Sequence, residues 1–331
     1  MNFFLKLFKL LPPELAHSIS LNSLKLLYKI KILGFFYSYS KNNKDENILF
    51  CGMHFKNRLG TAAGLDKNGD YIDALGELGF GFLEVGTVTP LAQSGNPKPR
   101  VFRNYKENSI INRLGFNNKG VDYLVNNLKR RNYKGILGVN IGANKHSIGD
   151  QRINDYIVCL EKVNKYADYI TINISSPNTP NLRDLHNREN LTLLIDAIDK
   201  SIKDLNIIKP IFLKISPDES DKTIINIITH IENSSLSGII ATNTTIDKSM
   251  LVNEKIKSID GGLSGEPIMN KSTQRLSFIK SKSKDIPLIG VGGVLSKEDF
   301  NEKINAGASL VQIYTGFIIK GPNLITEVLN N

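Results

Sequence analysis

The amino-acid sequence predicts an α/β protein: a (β/α)8 barrel preceded by an amphipathic helical extension. Two observations predict the barrel. Apolar runs rich in Val and Ile recur after residue 46, and segments with helical spacing separate most of them. A third observation sets the extension apart, because residues 1–45 combine bulky apolar side chains with many lysines.

The extension is expected to form two amphipathic helices. The first covers residues 2–11 and ends at Pro12-Pro13, where the second begins. The second runs from residue 14 to about residue 33, with an apolar side made by Leu15, Ile19, Leu24, Leu27 and Ile30 or their neighbours. Lysines beside bulky apolar residues suit helices that lie in a membrane interface. A helical hairpin packed on the main domain fits equally well, and a helix with one face to lipid and one to protein satisfies both.

Eight strand-like runs are expected to form the barrel. They are Leu59–Ala63, Phe82–Thr87, Ile136–Ile141, Tyr169–Ile174, Ile211–Ile215, Gly238–Thr242, Leu288–Val291 and Leu310–Tyr314. Helical stripes lie between them, for example Val121, Leu124, Val125 and Leu128, and Leu191, Leu194, Ile195 and Ile198. So many β–α repeats favour a TIM barrel over an open doubly wound sheet. A long gap follows the sixth run, and its insertion at residues 260–265 is expected at the mouth of the active site.

Composition narrows the function classes. The formal net charge of +10 is scattered along the chain and not interleaved with aromatic residues in one patch, so nucleic-acid binding is not expected. An anionic small substrate or a membrane surface suits this charge. The two cysteines are far apart and no histidines have ligand spacing, so no metal is expected. Neither a signal peptide nor a spanning helix fits the lysine-interrupted N-terminus.

Polar or glycine-rich tips follow all eight runs. The central one is Asn173 to Thr179, where Pro177 restricts Ser176 to an extended conformation and stiffens the loop. Because the carboxyl ends of barrel strands meet on one face, we expect the tips to form one site. The tips are Ala63–Lys67, Gly86–Thr89, Asn140–Gly142, Asn173–Asn178, Lys214–Ser216, Thr242–Thr245, Gly290–Gly293 and Tyr314–Gly316.

The tips predict a cofactor that is anchored by a phosphate. The seventh and eighth tips are rich in glycine and precede helices, which aims backbone N–H groups at a phosphate. The tips hold no histidine, metal cluster or paired carboxylates, so a cofactor has to carry the chemistry. Flavin mononucleotide (FMN) fits a barrel with one phosphate site. Lys214 is then expected near the flavin ring, where its charge would stabilise the reduced form.

Amide side chains indicate the class of substrate. Asn112, Asn173, Asn178 and Asn243 each offer one acceptor and two donors, which match a small planar molecule with imide and amide edges. Lys67 supplies a cation for an anionic group. The glycine-containing loop at residues 111–116 is expected to close over the ligand.

The combined motifs resemble those of one family. Segments that closely resemble the dihydroorotate dehydrogenase family occur in order along essentially the whole chain: Ala62–Lys67, Ile111–Asn117, Asn173–Thr179, Ile239–Thr245, Gly261–Gly265 and Ile289–Gly293. The N-terminal helices resemble those of the class 2 branch, which is bacterial in type, membrane-associated and quinone-dependent. The soluble class 1 branch lacks such helices.

The resemblance implies a flavin oxidoreductase acting on a CH–CH donor. It implies oxidation of (S)-dihydroorotate to orotate in de novo pyrimidine (UMP) biosynthesis, with one FMN per chain as first acceptor and ubiquinone or menaquinone as second. Residues 1–45 would serve membrane association and quinone access, and residues 46–331 would form the FMN-binding catalytic barrel. A monomer bound peripherally to the cytoplasmic face of the inner membrane is expected.

The resemblance also implies roles for individual residues. Ser176 matches the catalytic base of class 2, which removes the C5 proton while hydride passes from C6 to flavin N5, and Thr179 matches its hydrogen-bonded partner. Implied orotate contacts are Lys67, Asn112, Asn173, Asn178, Asn243 and Thr244, with Arg113, Leu114, Gly115 and Phe116 in the closing loop. Implied FMN contacts are Ala63, Gly64, Leu65, Asp66, Lys67, Thr87, Asn140, Asn173, Lys214, Thr242, Gly265, Gly293, Tyr314 and Thr315. His17, Arg103 and Tyr314 match residues that line the quinone tunnel.

Other functions stay open at this point. A class 1-like soluble dihydroorotate dehydrogenase would use fumarate or NAD as acceptor. A flavin barrel that resembles tRNA dihydrouridine synthase would suit the positive charge, but such enzymes use a cysteine acid and an extra RNA-binding domain. A non-enzymatic membrane-binding protein on a barrel scaffold would not need the complete set of polar tips.

Overall fold

The computed structural model describes residues 10–36, 46–179, 182–186 and 188–330. The expected first helix, over residues 2–11, lies almost entirely outside these ranges and stays a prediction. The described residues form a closed barrel, two small antiparallel sheets and the helices around them.

The described residues form thirteen strands, twelve helices and three short 3₁₀ turns. The strands are β1 (Ile48–Phe50), β2 (Met53–Phe55), β3 (Leu59–Thr61), β4 (Phe82–Val88), β5 (Val101–Asn104), β6 (Ser109–Asn112), β7 (Ile136–Ile141), β8 (Tyr169–Asn173), β9 (Ile211–Ile215), β10 (Gly238–Ala241), β11 (Gly262–Gly265), β12 (Leu288–Val291) and β13 (Leu310–Ile313). The helices are α1 (Pro13–Lys29), α2 (Leu33–Phe36), α3 (Ile72–Gly76), α4 (Val121–Arg130), α5 (Gly149–Val163), α6 (Arg188–Asp204), α7 (Asp221–Glu232), α8 (Glu254–Lys257), α9 (Met269–Lys282), α10 (Lys297–Asn305), α11 (Thr315–Lys320) and α12 (Asn323–Leu329). Short 3₁₀ turns lie at Tyr105–Glu107, Leu182–His186 and Glu266–Ile268.

Eight parallel strands close the barrel in the order β3-β4-β7-β8-β9-β10-β12-β13, and β13 pairs with β3. All eight predicted strands begin at the expected residue and end within two residues of the expected end. Their continuous apolar sequences follow from burial on both faces, since helices cover the outside of a parallel sheet. The predicted stripes of α4 and α6 are buried against this core. The predicted TIM barrel is confirmed.

A hairpin of β1 and β2 covers the amino-terminal end of the barrel. Phe50 stacks on Phe212 with ring centroids 5.7 Å apart, and Phe55 meets Phe82 edge-on at 5.4 Å. Phe82 begins β4 and Phe212 lies near the start of β9, so the hairpin seals this end with aromatic packing. The functional groups at the carboxyl ends of the strands lie at the other end.

Strands β5, β6 and β11 form an antiparallel sheet. β5 and β6 lie in the connection after β4, and β11 lies in the long connection after β10. Thr245, just beyond β10, bridges to Leu263 of β11. This contact places the long insertion beside the carboxyl ends of the strands, as the sequence predicted.

Helix α1 packs on the barrel with one face and leaves a second apolar face exposed. Ala16 and Leu21 are buried, and Leu24, Leu27 and Tyr28 pack against the main core. The second face carries Leu15, Ile19, Leu26 and Ile30, which are 38–59% exposed. The predicted single apolar side is therefore divided between two faces, and only its members Leu24 and Leu27 lie on the packed one.

The second N-terminal helix is shorter than expected. It ends at Lys29 instead of near residue 33, because Lys31 adopts the left-handed conformation with φ of 59°. The short helix α2 follows. Within the described ranges, no helix is long and apolar enough to cross a membrane.

Candidate active site

A large cavity opens at the carboxyl end of the barrel. The tips of every barrel strand except β7 line it, together with parts of β6, the loop that follows β6, and β11. Most of the predicted site residues are in its wall: Ala63, Gly64, Lys67, Thr87, Asn112, Leu114, Gly115, Phe116, Asn173, Ser176, Asn178, Lys214, Thr242, Asn243, Thr244, Gly265, Gly293, Tyr314 and Thr315. The structure therefore brings distant motifs of the sequence into one pocket.

The tip of β7 does not line the cavity but is bonded to residues that do. Thr87 Oγ1 donates to Asn140 Oδ1 at 2.6 Å, and Asn173 Nδ2 donates to Thr87 Oγ1 at 3.0 Å and to Asn140 Oδ1 at 3.2 Å. All three side chains are buried. These bonds determine which end of each amide faces which neighbour, so the polar wall of the cavity has a fixed orientation.

Glu84 supports this network from the middle of β4. Its side chain is 1% exposed, and its carboxylate accepts four side-chain hydrogen bonds, from Asn140 (2.9 Å), Tyr169 (2.9 Å), Thr171 (3.1 Å) and Gln312 (2.7 Å). A buried carboxylate is tolerated when its oxygens are satisfied in this way. The sequence prediction missed Glu84, although a charged residue inside the apolar run Phe82–Val88 was a signal for it.

The two adjacent serines of the loop after β8 have different environments. Ser175 is fully buried, where its hydroxyl donates to Asn173 Oδ1 (3.1 Å) and accepts from Asn243 Nδ2 (3.0 Å). Ser176 lines the cavity, and its Oγ accepts the backbone N–H of Asn178 at 3.3 Å. The hydroxyl proton of Ser175 is thus committed to the protein, whereas the hydroxyl of Ser176, a residue of the cavity wall, donates to none of the described residues.

Lys214 of β9 lines the cavity, and none of the described residues pairs with its charge. It is 4% exposed, and its ammonium forms no hydrogen bond or ion pair with the described residues. Burial lowers the pKa of Lys214, and the charge of Glu84 opposes that shift. A buried ammonium without a partner fits a bound ligand that offers an acceptor or a negative charge, as the pyrimidine edge of a flavin does.

The chain turns tightly at the seventh tip. Gly293 has φ of 85°, and a Cβ at this position would lie 2.4 Å from Met269 Cα. Gly292 and Gly293 can therefore bring their backbone to the cavity wall, where no other residue type fits. On the neighbouring tip, Thr315 donates from its hydroxyl to Ser264 Oγ at 2.8 Å. Backbone exposed to a cavity in this manner fits a phosphate group.

Helix α1 contributes charge near the cavity. Glu14 forms an ion pair with Arg100 at 2.9 Å. Burial and then the charge of Arg100 lower the pKa of Lys67 to about 8, while Glu14 opposes this shift. Burial and then the charge of Lys67 lower the pKa of His17 to about 4. His17 on α1 therefore lies near Lys67 on the cavity wall and is neutral at pH 7.

A family model for dihydroorotate dehydrogenase matches residues 47–331. The chain belongs to this family. A relative from Buchnera aphidicola, named dihydroorotate dehydrogenase (quinone), is 47% identical over 98% of both chains. One of the same name from Saccharophagus degradans is 47% identical over 97% of this chain and 95% of its own. A crystal structure of a DHODH from Eimeria tenella in complex with ferulenol has a TM-score of 0.86 and 34% identity, over 96% of this chain and 89% of its own.

The remaining residues implied by the family resemblance lie outside the cavity wall. Leu65 is in the main core. Asp66 accepts the N–H groups of Asp70 (2.9 Å) and Tyr71 (2.7 Å), so it orders the loop behind Lys67. Arg113 lies over the ring of Phe102 at 5.2 Å. These positions give Leu65, Asp66 and Arg113 a supporting role in the core and in the loops around the site.

Two further predicted residues, Arg103 and Thr179, also lie outside the cavity wall. Arg103 of β5 donates to the carbonyl of Leu11 and lies over the ring of Tyr105 at 5.4 Å, which ties the segment before α1 to the sheet of β5, β6 and β11. Thr179 is buried, and its hydroxyl has no hydrogen-bond partner among the described residues.

Several cavity-lining residues were given no individual role from the sequence, although Pro177, Val291, Gly292 and Gly316 lie within the predicted tips. They are Ala62, Pro177, Ser264, Ile268, Val291, Gly292, Val294, Gln312, Ile313 and Gly316. Gln312 had a recognisable signal, since it is a polar residue inside the apolar strand β13. Ile268 had none, because it reaches the cavity from a 3₁₀ turn beyond β11.

In the described part of the chain, no group of His, Cys, Asp or Glu is arranged to hold a metal ion.

Proposed function

We propose that the protein is a class 2 dihydroorotate dehydrogenase that oxidises (S)-dihydroorotate to orotate in pyrimidine biosynthesis and passes the electrons to a membrane quinone. The observation that carries the proposal is the position of Ser176. Ser176 shares one cavity wall with Asn112, Asn178 and Asn243, and the wall also contains Lys214. A weakly basic hydroxyl, amides for a planar substrate and a buried cation for a flavin are the groups that this oxidation needs.

FMN is the proposed cofactor. When bound, it supplies the two-electron acceptor for the hydride of the substrate. Its pyrimidine edge would be held by Lys214 and its phosphate by Gly293 and Thr315. The other proposed contacts are Ala63, Gly64, Leu65, Asp66, Lys67, Thr87, Asn140, Asn173, Thr242, Gly265 and Tyr314. Two observations support this assignment. Lys214 lines the cavity without an ion-pair partner among the described residues, and Gly292 and Gly293 bring their backbone to the cavity wall.

Ser176 is proposed as the general base. The oxidation removes a proton from C5 of dihydroorotate and a hydride from C6, and the proton has to leave through the protein. A serine hydroxyl accepts a proton only when its own proton is passed on. Thr179 is proposed as the next member of the path, although its buried hydroxyl forms no hydrogen bond in the described chain, including none with Ser176.

The amides and Lys67 are proposed to bind and orient the substrate. Asn112, Asn173, Asn178 and Asn243 provide donors and acceptors for the imide and amide edges, and Thr244 adds a hydroxyl. Lys67 would pair with the carboxylate, and residues 113–116 would close over the ring. Asn178 Nδ2 donates to Asn112 Oδ1 at 3.3 Å, so the two amides are already oriented towards each other.

Helix α1 is proposed to bring quinone from the membrane to the site. Its exposed face of Leu15, Ile19, Leu26 and Ile30 would lie in the interface. His17, Arg103 and Tyr314 would line the path between α1 and the cavity, since His17 lies near Lys67 and Tyr314 is in the cavity wall. We propose a peripheral monomer on the cytoplasmic face of the inner membrane. Residues 1–45 would serve membrane and quinone, and residues 46–331 catalysis.

The test uses the purified, FMN-loaded protein with dihydroorotate and different electron acceptors. Turnover with ubiquinone or menaquinone analogues, and little turnover with fumarate or NAD, would support the proposal. A preference for fumarate or NAD would overturn the quinone assignment. These acceptors and a tRNA substrate are not favoured, because the relatives quoted above carry quinone in their names.

A further inference from the structure

Lys303 is a buried lysine that the proposed reaction does not use. It lies on α10 with 0% exposure. Its Nζ donates to Ser272 Oγ (2.5 Å), Thr273 Oγ1 (2.7 Å) and the carbonyl of Met269 (3.2 Å), all on α9. None of these acceptors carries a charge, and no ion pair to Lys303 occurs among the described residues. Burial of an ammonium among neutral acceptors is unfavourable, so we expect Lys303 to have a function that offsets this cost.

The hydrogen-bond pattern shows what the ammonium does to Ser272. Burial lowers the pKa of Lys303 to about 7, and the charges of Asp299 and Glu302 oppose this shift. In its ammonium form Lys303 only donates, so Ser272 Oγ accepts from it and has its own proton free to donate. Two acceptors are within reach, the carbonyl of Met269 and that of Gly292, each at 3.0 Å. The carbonyl of Met269 already accepts from Lys303 and from Thr273 Oγ1 (2.8 Å). The proton of Ser272 is therefore directed to Gly292.

This hydrogen bond orients the peptide between Gly292 and Gly293. The peptide bond between Gly292 and Gly293 is trans, so the C=O of Gly292 and the N–H of Gly293 point in opposite directions. Because the carbonyl of Gly292 points to Ser272 on α9, the N–H of Gly293 points away from α9. Both glycines line the cavity. The chain of contacts from Lys303 through Ser272 thus sets the direction of a backbone donor at the proposed phosphate position.

We propose that Lys303 is a positioning residue for a phosphate monoester: it holds Ser272 so that the Gly292–Gly293 peptide presents its N–H to the phosphate of the cofactor. The inference rests on the proposed function only in that the phosphate belongs to FMN. Lys303 does not touch the ligand. Its positive charge, buried behind the loop, also favours an anion in front of it.

The experiment compares FMN with riboflavin, which has the same ring but no phosphate. Dissociation constants for both are measured on the apoprotein by flavin fluorescence, for wild type, Lys303→Met and Ser272→Ala. Lys303→Met keeps the length of the side chain and removes the ammonium. We expect Lys303→Met to raise the dissociation constant for FMN at least about tenfold and to leave the dissociation constant for riboflavin unchanged. Ser272→Ala should shift the same ratio in the same direction. The matched control Lys282→Met removes an exposed lysine from α9 and should leave the ratio as in wild type.

The outcomes separate this inference from the proposed function. Wild type that binds neither flavin, or that binds both equally, would contradict the flavin phosphate site itself. Wild type that prefers FMN while Lys303→Met and Ser272→Ala keep the same preference would overturn the role of Lys303. Equal weakening of FMN and riboflavin would assign Lys303 to folding alone. If Lys303→Met does not fold, as judged by circular dichroism, the ratio in Ser272→Ala decides.

Discussion

Asn243 Nδ2 lies 3.0 Å from Ser175 Oγ and donates a hydrogen bond to it. Because Ser175 in turn donates to Asn173 Oδ1, its hydroxyl has both of its roles filled by the protein. The neighbouring Ser176 lines the cavity, and its hydroxyl donates to none of the described residues. One pair of residues thus explains why, of two consecutive serines, the second is available for chemistry on a bound substrate.

Replacement of Ser176 by alanine should remove the general base. We expect Ser176→Ala to bind FMN as wild type does and to slow reduction of the flavin by dihydroorotate at least about a hundredfold. The rate is measured by anaerobic stopped-flow absorbance. The control Ser281→Ala changes an exposed serine on α9 and should have no effect. An unchanged rate of flavin reduction in Ser176→Ala would show that Ser176 is not the general base.

Binding of orotate should depend on the charge of Lys67. The pKa of Lys67 in the free protein is lowered to about 8, so its ammonium is present below that pH and is lost as the pH rises through it. The affinity for the orotate anion should therefore fall above about pH 8, by at most about tenfold per pH unit. Titration of the flavin absorbance with orotate measures this.

Lys67→Met should bind orotate weakly and without the fall above pH 8. Lys119→Met removes an exposed cation and should keep the wild-type profile. A wild-type affinity that stays constant across this range would show that Lys67 does not pair with the substrate.

Glu84 should be a major source of stability for the barrel interior. Glu84→Gln replaces one carboxylate oxygen by an NH₂ group, so at least one of its four buried donors loses its acceptor. We expect a loss of about 3 kcal/mol in the free energy of unfolding, measured by urea denaturation. Glu161→Gln, at an exposed position on α5, should stay within about 0.5 kcal/mol of wild type. Equal stability of the two variants would contradict this account of the network.

The exposed face of α1 should determine membrane binding. Leu15→Gln and Ile19→Gln together remove two half-exposed apolar side chains and should reduce binding to phospholipid vesicles about tenfold or more. Quinone-dependent turnover should fall with it, while reduction of the flavin by dihydroorotate should not change. The control Ile208→Gln alters an apolar side chain that is 95% exposed before β9. An equal effect of both changes on vesicle binding would mean that α1 is not the membrane contact.

The barrel strands were predictable because each is a buried apolar run with a polar end. Residues such as Ile211–Ile215 are apolar on both faces apart from Lys214, and this pattern leaves few alternatives. The hairpin of β1 and β2 and the sheet of β5, β6 and β11 were not predicted. Strands such as Val101–Asn104 and Gly262–Gly265 mix polar residues or glycine with apolar ones instead of forming a continuous apolar run, and their pairing depends on contacts between distant loops.

The site was predictable as a set of tips but not as a network. Asn173 and Ser176 could be named from the sequence, since polar residues at strand ends are unusual enough to be noticed. The choice of Ser176 over Ser175 rested on family resemblance until the bond from Asn243 separated them. Glu84 and Lys303 act through other residues, and no local pattern in the sequence shows which hydroxyl or amide a buried charge will reach.

The most direct test of the central claim is a two-step anaerobic experiment on the FMN-loaded protein. Dihydroorotate is added first, followed by a ubiquinone or menaquinone analogue. We predict that dihydroorotate bleaches the visible absorbance of the flavin and that quinone restores it, with orotate as the product. Flavin that stays oxidised in the presence of excess dihydroorotate would contradict the account.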